Sequence, residues 1–321
     1  MQREDTSKVA IKKSASDEIR GGAEVDTRSL KAQLSPVFFL SAIAPAARAG
    51  QGEEVTRGLS SLCRLFYKLA MMTVNEFAEK IRQHDQIVVF TGAGISTESG
   101  IPDFRSPGGI WTRYRPVTFQ EFMSSEAARI EAWKRRLDGW EQYKNAKPNV
   151  GHYFIHSLDA KGKLVGLITQ NVDGLHSVAG LPDEKIVELH GSNRKVICLK
   201  CSRTYDPDEV IKRLIGDFAS PRCNACDGIL KSATVSFGQA MPEAAMRQAQ
   251  EWSEEAKVFV VMGSSLQVQP AASFPVVAKR NGALLAIINR EPGPLDEIAD
   301  FVHHGAIGEF CGRFGEMIAD G

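Results

Sequence analysis

Residues 86–96 read Gln-Ile-Val-Val-Phe-Thr-Gly-Ala-Gly-Ile-Ser, a β-branched apolar run of strand length that breaks at Gly92-x-Gly94. An apolar run without polar alternation predicts a strand buried on both faces, as in a parallel sheet covered by helices. A strand running into Gly-x-Gly is also how dinucleotide sites begin, because missing side chains let backbone N–H groups approach a pyrophosphate. Taken alone, a Gly-x-Gly turn is more often just an ordinary tight turn. The acidic residue that a dehydrogenase carries about twenty positions on is not visible here, which disfavours that class. Five further short runs repeat the pattern: Leu164–Thr169, Ile186–Leu189, Val258–Met262, Leu284–Asn289 and Phe301–His303. Helical patterns follow several of them, at Pro242–Glu254, Pro270–Asn281 and Ile307–Ala319. Strands alternating with helices predict an α/β fold built on a doubly wound parallel sheet.

Two segments interrupt that plan, a tryptophan-containing helical stretch around Phe119–Gln142 and a cysteine segment from about Arg194 to Lys231. Both are expected to fold as a smaller module beside the sheet. Cys198-x-x-Cys201 and Cys223-x-x-Cys226 are separated by twenty-one residues. Each pair suits a tight turn, and four thiolates at about 2.3 Å close a tetrahedron around one Zn²⁺ with no position left for water, a structural site. The competing readings are four unrelated buried cysteines or a redox pair, and nothing beside either motif resembles a thioredoxin-type unit. Zinc ribbons also bind nucleic acid, but Asp206, Asp208, Glu209 and Asp217 offset Lys200, Arg203, Lys212 and Arg213, so no basic face is expected.

Composition narrows the class further. The 321 residues are 43% hydrophobic, enough to bury a core, and their formal net charge of zero gives no general case for binding nucleic acid or an anionic membrane. Six cysteines are too few for a disulfide scaffold, so reduced thiolates are expected, with Cys63 and Cys311 as ordinary thiols. Residues 1 to about 70 lack helical or strand periodicity and read as an appendage. Thr73-Val74-Asn75-Glu76 then forms a capping-box pattern, with Val74, Phe77, Ala78 and Ile81 as the apolar stripe of a helix that opens the domain. Met71 and Met72 directly precede it, so residues 1–70 are expected to be a disordered extension or a misassigned start. The apolar run Pro36–Ala47 begins too late, behind too many acids, for a signal peptide. No stretch reaches the roughly 20 apolar residues that span a bilayer. A soluble, cytoplasmic protein is expected.

Polar residues gather where the predicted strands end, the place an open α/β sheet holds its ligands. Gly100-Ile101-Pro102-Asp103-Phe104-Arg105 follows the glycine turn; Gln170-Asn171-Val172-Asp173-Gly174-Leu175-His176 follows the second strand. His190-Gly191-Ser192, Gly263-Ser264-Ser265-Leu266 and Asn289-Arg290-Glu291 follow three others. Any one of these reads as turn residues; five in register with one sheet do not. Taken together, TGAGIS, GIPDFR, TQNVDGLH, ELHG, the paired Cys-x-x-Cys, SFG, GSSLQVQPA and INRE resemble the sirtuins in order and spacing, over about residues 73–319.

That resemblance implies a Rossmann-like catalytic domain over residues 71–321, with a small domain made of a helical module (about 108–148) and a zinc module (about 194–231). It implies NAD-dependent protein-lysine deacylation: the acyl group passes to ADP-ribose and nicotinamide is released. His190 matches the general base on a ribose hydroxyl, and Asn171 and Asp173 the residues that orient the ribose and the nicotinamide amide. Gln170 would bind the ribose. Ala93, Gly94, Ser96 and Arg105 would face the phosphates, and Phe104 would shield the reacting centre. Ser264, Ser265, Asn289 and Glu291 would hold the adenosine half, with Ala306 beside the adenine; Ile95, Thr97, Asp103, Val172 and Arg290 complete the cofactor set. An acyl-lysine protein substrate would add as a strand between Val235–Gly238 and Gln267–Gln269, touching Val235, Phe237, Gly238 and Val268. The chain departs from the family at Gln239, where many sirtuins place a carboxylate, which puts in doubt any preference for positive charge beside the lysine. Ala132-x-x-Arg135 supplies half of the Tyr-x-x-Arg pair of desuccinylating sirtuins. Pro116–Trp140 and TQNVDGLH look closest to class II sirtuins. The competing functions are a mono-ADP-ribosyltransferase and a non-catalytic NAD-sensing or zinc-ribbon interaction protein, the latter disfavoured by an intact His190. Oligomeric state is not indicated.

Overall fold

In the central strands of the sheet, alternate side chains point to opposite faces, and both faces are apolar. Ile87 and Val89 of the first strand pack on one side, Val88 and Phe90 on the other, and all four are fully buried. This is why the run lacks polar alternation. The computed structural model describes residues 71–214 and 219–319. Residues 1–70, with the apolar run Pro36–Ala47 and Cys63, lie outside the described residues, as does Asp217.

Among the described residues, nine strands form two sheets. They are β1 (Ile87–Thr91), β2 (Leu164–Thr169), β3 (Ile186–Glu188), β4 (Gly191–Cys198), β5 (Thr204–Tyr205), β6 (Leu230–Thr234), β7 (Val258–Met262), β8 (Leu284–Asn289) and β9 (Phe301–His304). The large sheet is parallel throughout, in the order β3-β2-β1-β7-β8-β9. Its order reverses between β1 and β7, and a crevice opens around that switch point at the carboxyl ends of the strands. The small sheet is antiparallel, β5-β4-β6. Met72–Gly321 is one compact unit.

The principal helices are α1 (Val74–Gln83), α2 (Phe119–Ser124), α3 (Glu126–Asn145), α4 (Val150–Ala160), α5 (Pro207–Leu214), α6 (Glu243–Glu255), α7 (Phe274–Arg280) and α8 (Ile307–Met317). Thr73 caps α1 in the reciprocal capping box its sequence predicts. Phe77 and Ile81 of α1, Phe154 and Leu158 of α4, and Phe310 and Phe314 of α8 cover one face of the large sheet. Ala249 of α6 with Phe274 and Ala278 of α7 cover the other. The helix expected from Pro270 starts later, at Phe274, after a 3-10 turn over Ala271–Ser273. Pro275 explains the delay: it has no N–H to donate backwards and its ring crowds the carbonyl four residues earlier, so it is tolerated only in a first turn. Among the described residues, no helix is long and apolar enough to cross a membrane.

Candidate active site

The crevice is a cleft of about 630 Å³ at the ends of β1, β2, β7 and β8, closed on its other side by the small sheet and the 101–116 loop. That volume suits a ligand of cofactor size.

Its floor is made by glycines for a reason internal to the protein. A Cβ on Gly92 or Gly94 would lie 2.8 Å from the Gly263 carbonyl oxygen, and one on Gly263 would lie 2.3 Å from the Ile95 nitrogen. The loops after β1 and β7 therefore touch backbone to backbone, and the Gly94 N–H donates to the Gly263 carbonyl at 2.8 Å. The N–H groups of Gly92 and Ile95 are likewise bonded to the carbonyls of Met262 and Gly92. These donors are spent on the loop itself, so the glycines shape the floor more than they free N–H groups for a phosphate. Residues Ala93–Ser99 form a 3-10 turn over that floor.

The loop after β2 is the most densely bonded part of the site. Asp173 is buried and accepts from Ser96 Oγ at 2.8 Å and from the Leu175 N–H at 2.9 Å. Burial raises its carboxyl above the usual range, and these two hydrogen bonds pull the other way. Asn171 Nδ2 donates to the same Ser96 oxygen at 3.2 Å, and Gln170 Nε2 donates to Ser264 Oγ at 2.8 Å. Behind the loop, His176 turns away from the cleft into the core: its Nε2 is 3.1 Å from Thr91 Oγ1 and its ring lies 4.7 Å from that of His152. Burial holds both imidazoles neutral, His152 near 4 and His176 well below its ordinary value.

His190 follows β3, half-buried at the cleft wall, with Nδ1 2.9 Å from the Gln170 carbonyl. A carbonyl only accepts, so Nδ1 carries the proton and Nε2 is left with a lone pair. Burial lowers its pKa and the Gln170 carbonyl partly offsets that. Gly191 is needed next: its φ is +69°, and a Cβ there would meet the Ala233 carbonyl oxygen at 2.1 Å. Glu188, two residues earlier at the end of β3, is pushed up to about 7 by burial and then by the nearby Asp173 charge.

On the opposite wall, Phe104, Trp111 and Phe237 form an aromatic row, with ring centroids 5.3 and 5.6 Å apart, and the Arg105 guanidinium lies 4.3 Å over Trp111. Asp103 caps the turn by accepting from the Ser106 N–H at 2.9 Å and from its hydroxyl.

The catalytic, cofactor and substrate residues assigned from sequence all line this cleft except two. Ile95 points into the core at 1% exposure, and Ala306 precedes α8 between Gly305 and Ile307, which do line it. Val235, Phe237, Gly238 and Val268 are all at its mouth. Gln239 is turned onto its own loop, its side-chain oxygen accepting from the Ser236 N–H at 3.1 Å. Ala132 and Arg135 are not in the lining; Arg135 pairs with Glu131 and packs over Tyr114. Sequence reasoning missed Trp111, Tyr143 and Asn193, which line the cleft. Tyr143 is pushed up to about 12 by burial, then by Asp173. A tryptophan, a tyrosine and an asparagine outside any strand-end cluster give no signal of their own.

The four cysteines converge away from the cleft, every sulfur within 4.8 Å of the others. Cys198 and Cys226 sulfurs are 3.5 Å apart and those of Cys201 and Cys223 3.7 Å, close to the edge of about 3.8 Å expected for thiolates around Zn²⁺. Both turns are built alike: the N–H of Ser202 bonds to the Cys198 carbonyl and that of Asp227 to the Cys223 carbonyl, and both donors sit at positive φ. The donor set and geometry fit one closed structural zinc.

Residues 92–270 match the model of the Sir2 family. The chain is 48% identical over 241 residues to an NAD-dependent protein deacetylase of Rhodopseudomonas palustris, covering 75% of this chain and 95% of that one. It is 49% identical over 241 residues to NAD-dependent protein deacetylase 1 of Bradyrhizobium diazoefficiens, with 75% and 94% covered. Among solved structures, a Sir2 complex with a p53 peptide and NAD⁺ superposes with a TM-score of 0.72 at 34% identity, over 78% of this chain and 100% of that one. Sir2Tm bound to a propionylated peptide gives 0.69 at 35% identity, over 76% and 98%.

Proposed function

The chain belongs to the Sir2 family, and we propose that it acts as an NAD-dependent protein-lysine deacylase with His190 as its base. NAD is the co-substrate: it supplies nicotinamide as leaving group and the ribose that takes the acyl group. The observation that carries the assignment of the base is the bond from His190 Nδ1 to the Gln170 carbonyl. It leaves Nε2 free to take a proton from a hydroxyl at the cleft wall, and a lowered pKa keeps that nitrogen unprotonated at neutral pH.

The neighbouring side chains support a division of labour. Ser96 ties Asp173 and Asn171 to the cofactor turn, so the three present one fixed polar surface to a ribose and a carboxamide. Ser264, held by Gln170, lies on the adenosine side with Asn289 and Glu291. The aromatic row of Phe104, Trp111 and Phe237 is suited to exclude water from the reacting centre and to bury the lysine stem. An acylated peptide is accommodated as an added strand between 235–238 and 267–269, both at the cleft mouth. The run Pro116–Trp140 with the TQNVDGLH loop supports placement in the class II branch. Thiolate ligands for zinc require a reducing compartment, which supports a cytoplasmic setting.

Incubating the protein with acetyl-, propionyl- and longer acyl-lysine peptides, with and without NAD, tests this. NAD-dependent loss of the acyl group with equimolar nicotinamide release is expected. No loss at any chain length, or transfer of adenylate-labelled ADP-ribose to protein without deacylation, overturns it.

A further inference from the structure

Lys231 is a buried lysine in β6, 4% exposed, and the chemistry described so far does not use it. Among the described residues no ion pair joins it to a carboxylate. Its Nζ instead donates to two backbone carbonyls, that of Ser232 at 3.3 Å and that of Thr234, and lies 6.0 Å from the Phe122 ring of α2. The other charge that faces it is the Arg136 guanidinium of α3, and burial, then Arg136, brings its pKa down to about 8. A buried ammonium without a counter-ion costs stability unless its placement serves something.

What it touches gives the reason. The Thr234 carbonyl and the Val235 N–H belong to one peptide unit. That N–H donates to the main-chain carbonyl of His190 at 2.8 Å. Lys231 therefore holds one end of a peptide group whose other end holds the backbone of the histidine. A cation on the carbonyl polarises the peptide and strengthens the bond its N–H makes. The same unit opens the segment Val235–Gly238, and Phe237 in turn accepts from the Phe119 N–H at the start of α2 at 2.9 Å.

We propose that Lys231 is a positioning residue: through the Thr234–Val235 peptide it sets both the height of His190 in the cleft and the edge on which the acyl-lysine peptide lies. The proposal rests on the deacylase reading above, since it assigns Lys231 to the acyl-peptide half of that reaction. The NAD floor, built from the loops after β1 and β7, makes no bond to it.

The test compares the wild type with Lys231→Met, Lys231→Gln and Lys231→Arg, each checked for one bound zinc and for its melting temperature. Loss of a charge-assisted bond predicts that Lys231→Met lowers kcat/KM for an acetyl-lysine peptide at least about tenfold, through both kcat and peptide KM. The dissociation constant for NAD alone should stay within about twofold, and Lys231→Arg should recover most of the loss. Lys231→Gln, which keeps a donor without the charge, should fall between them and stands in for Lys231→Met if that variant does not fold. Wild-type kcat/KM in the Met or Gln variant overturns the proposal, as does an NAD-affinity loss that matches the peptide loss, or an Arg variant as impaired as Met. If the wild type itself lacks deacylation, the functional reading fails instead.

Discussion

Replacing Gly263 by alanine probes how the floor of the cleft is held. Gly263 lies at φ +65°, where a residue with a Cβ costs about 1–2 kcal/mol. The new Cβ would sit 2.3 Å from the Ile95 nitrogen and 2.7 Å from the Gly94 carbonyl carbon, both backbone atoms that cannot swing aside as a side chain does. To regain an ordinary contact near 3.5 Å, the Ala93–Ser99 turn must retreat by about 1 Å. That retreat breaks the 2.8 Å bond from the Gly94 N–H to the Gly263 carbonyl, worth about 1 kcal/mol. It also carries Ser96 away from Asp173 and Asn171. The folded state should lose about 2–3 kcal/mol in urea denaturation. A displacement of about 1 Å at a positioning group should lower kcat/KM for NAD about a hundredfold. Gly94→Ala, with no positive φ to violate, should share the NAD defect with a smaller stability loss. Zinc content should not change in either. A Gly263→Ala protein with wild-type stability and kcat/KM for NAD within about threefold of wild type refutes the claim that these loops are in forced contact.

His190→Ala should remain folded and zinc-loaded while deacylation falls at least about a hundredfold, measured as nicotinamide release. Because burial lowers the pKa of His190, the acid limb of kcat/KM in the wild type should fall below pH 6.5. Burial brings the pKa of His152 down to about 4 in the fold against about 6.5 when unfolded, so the unfolded state binds more protons between those values. Stability present above pH 6.5 should therefore be lost progressively towards pH 4, by about 3 kcal/mol from this residue, and urea midpoints at both pH values check it. Zinc chelation should abolish activity and shift the emission of Trp133, which is 2% exposed and packs with Cys198, Cys223 and Leu230; a zinc-free protein with native Trp133 emission would contradict a structural role.

The sheet was legible because its strands are buried on both faces, so apolar runs such as Val258–Met262 and Leu284–Asn289 coincide with the observed strands. Strand ends were legible for the same reason: polar residues must begin where burial stops, and those residues meet in one cleft. Two kinds of information were not legible. The partner of a glycine is a distant backbone, so the need for Gly92 and Gly94 lies in Gly263, some 170 residues on, and cannot be seen from the turn itself. Likewise, the direction of a side chain within a motif is set by tertiary contacts. Ile95 and His176 stand inside the strand-end motifs yet point into the core, whereas Trp111 stands outside any motif yet packs at a tilt against Phe104 in the cleft.

The sequence separates His190 from the four cysteines, one chemical and the others structural, but β4 joins them. It starts at Gly191, directly after the histidine, and ends at Cys198, the first metal ligand. Along the way the Asn193 N–H donates to the Val172 carbonyl at 2.8 Å and Arg194 Nε to the Asp173 carbonyl at 2.8 Å. One strand therefore carries the histidine at its start, clamps the loop of Asn171 and Asp173 along its length, and is anchored at its far end by the thiolate cluster. The four cysteines join the end of β4 to the turn before β6, and a bound zinc would fix that junction. The cysteines that would hold zinc are remote from the cleft, but the placement of His190 beside the loop of Asp173 depends on a strand whose far end those cysteines anchor.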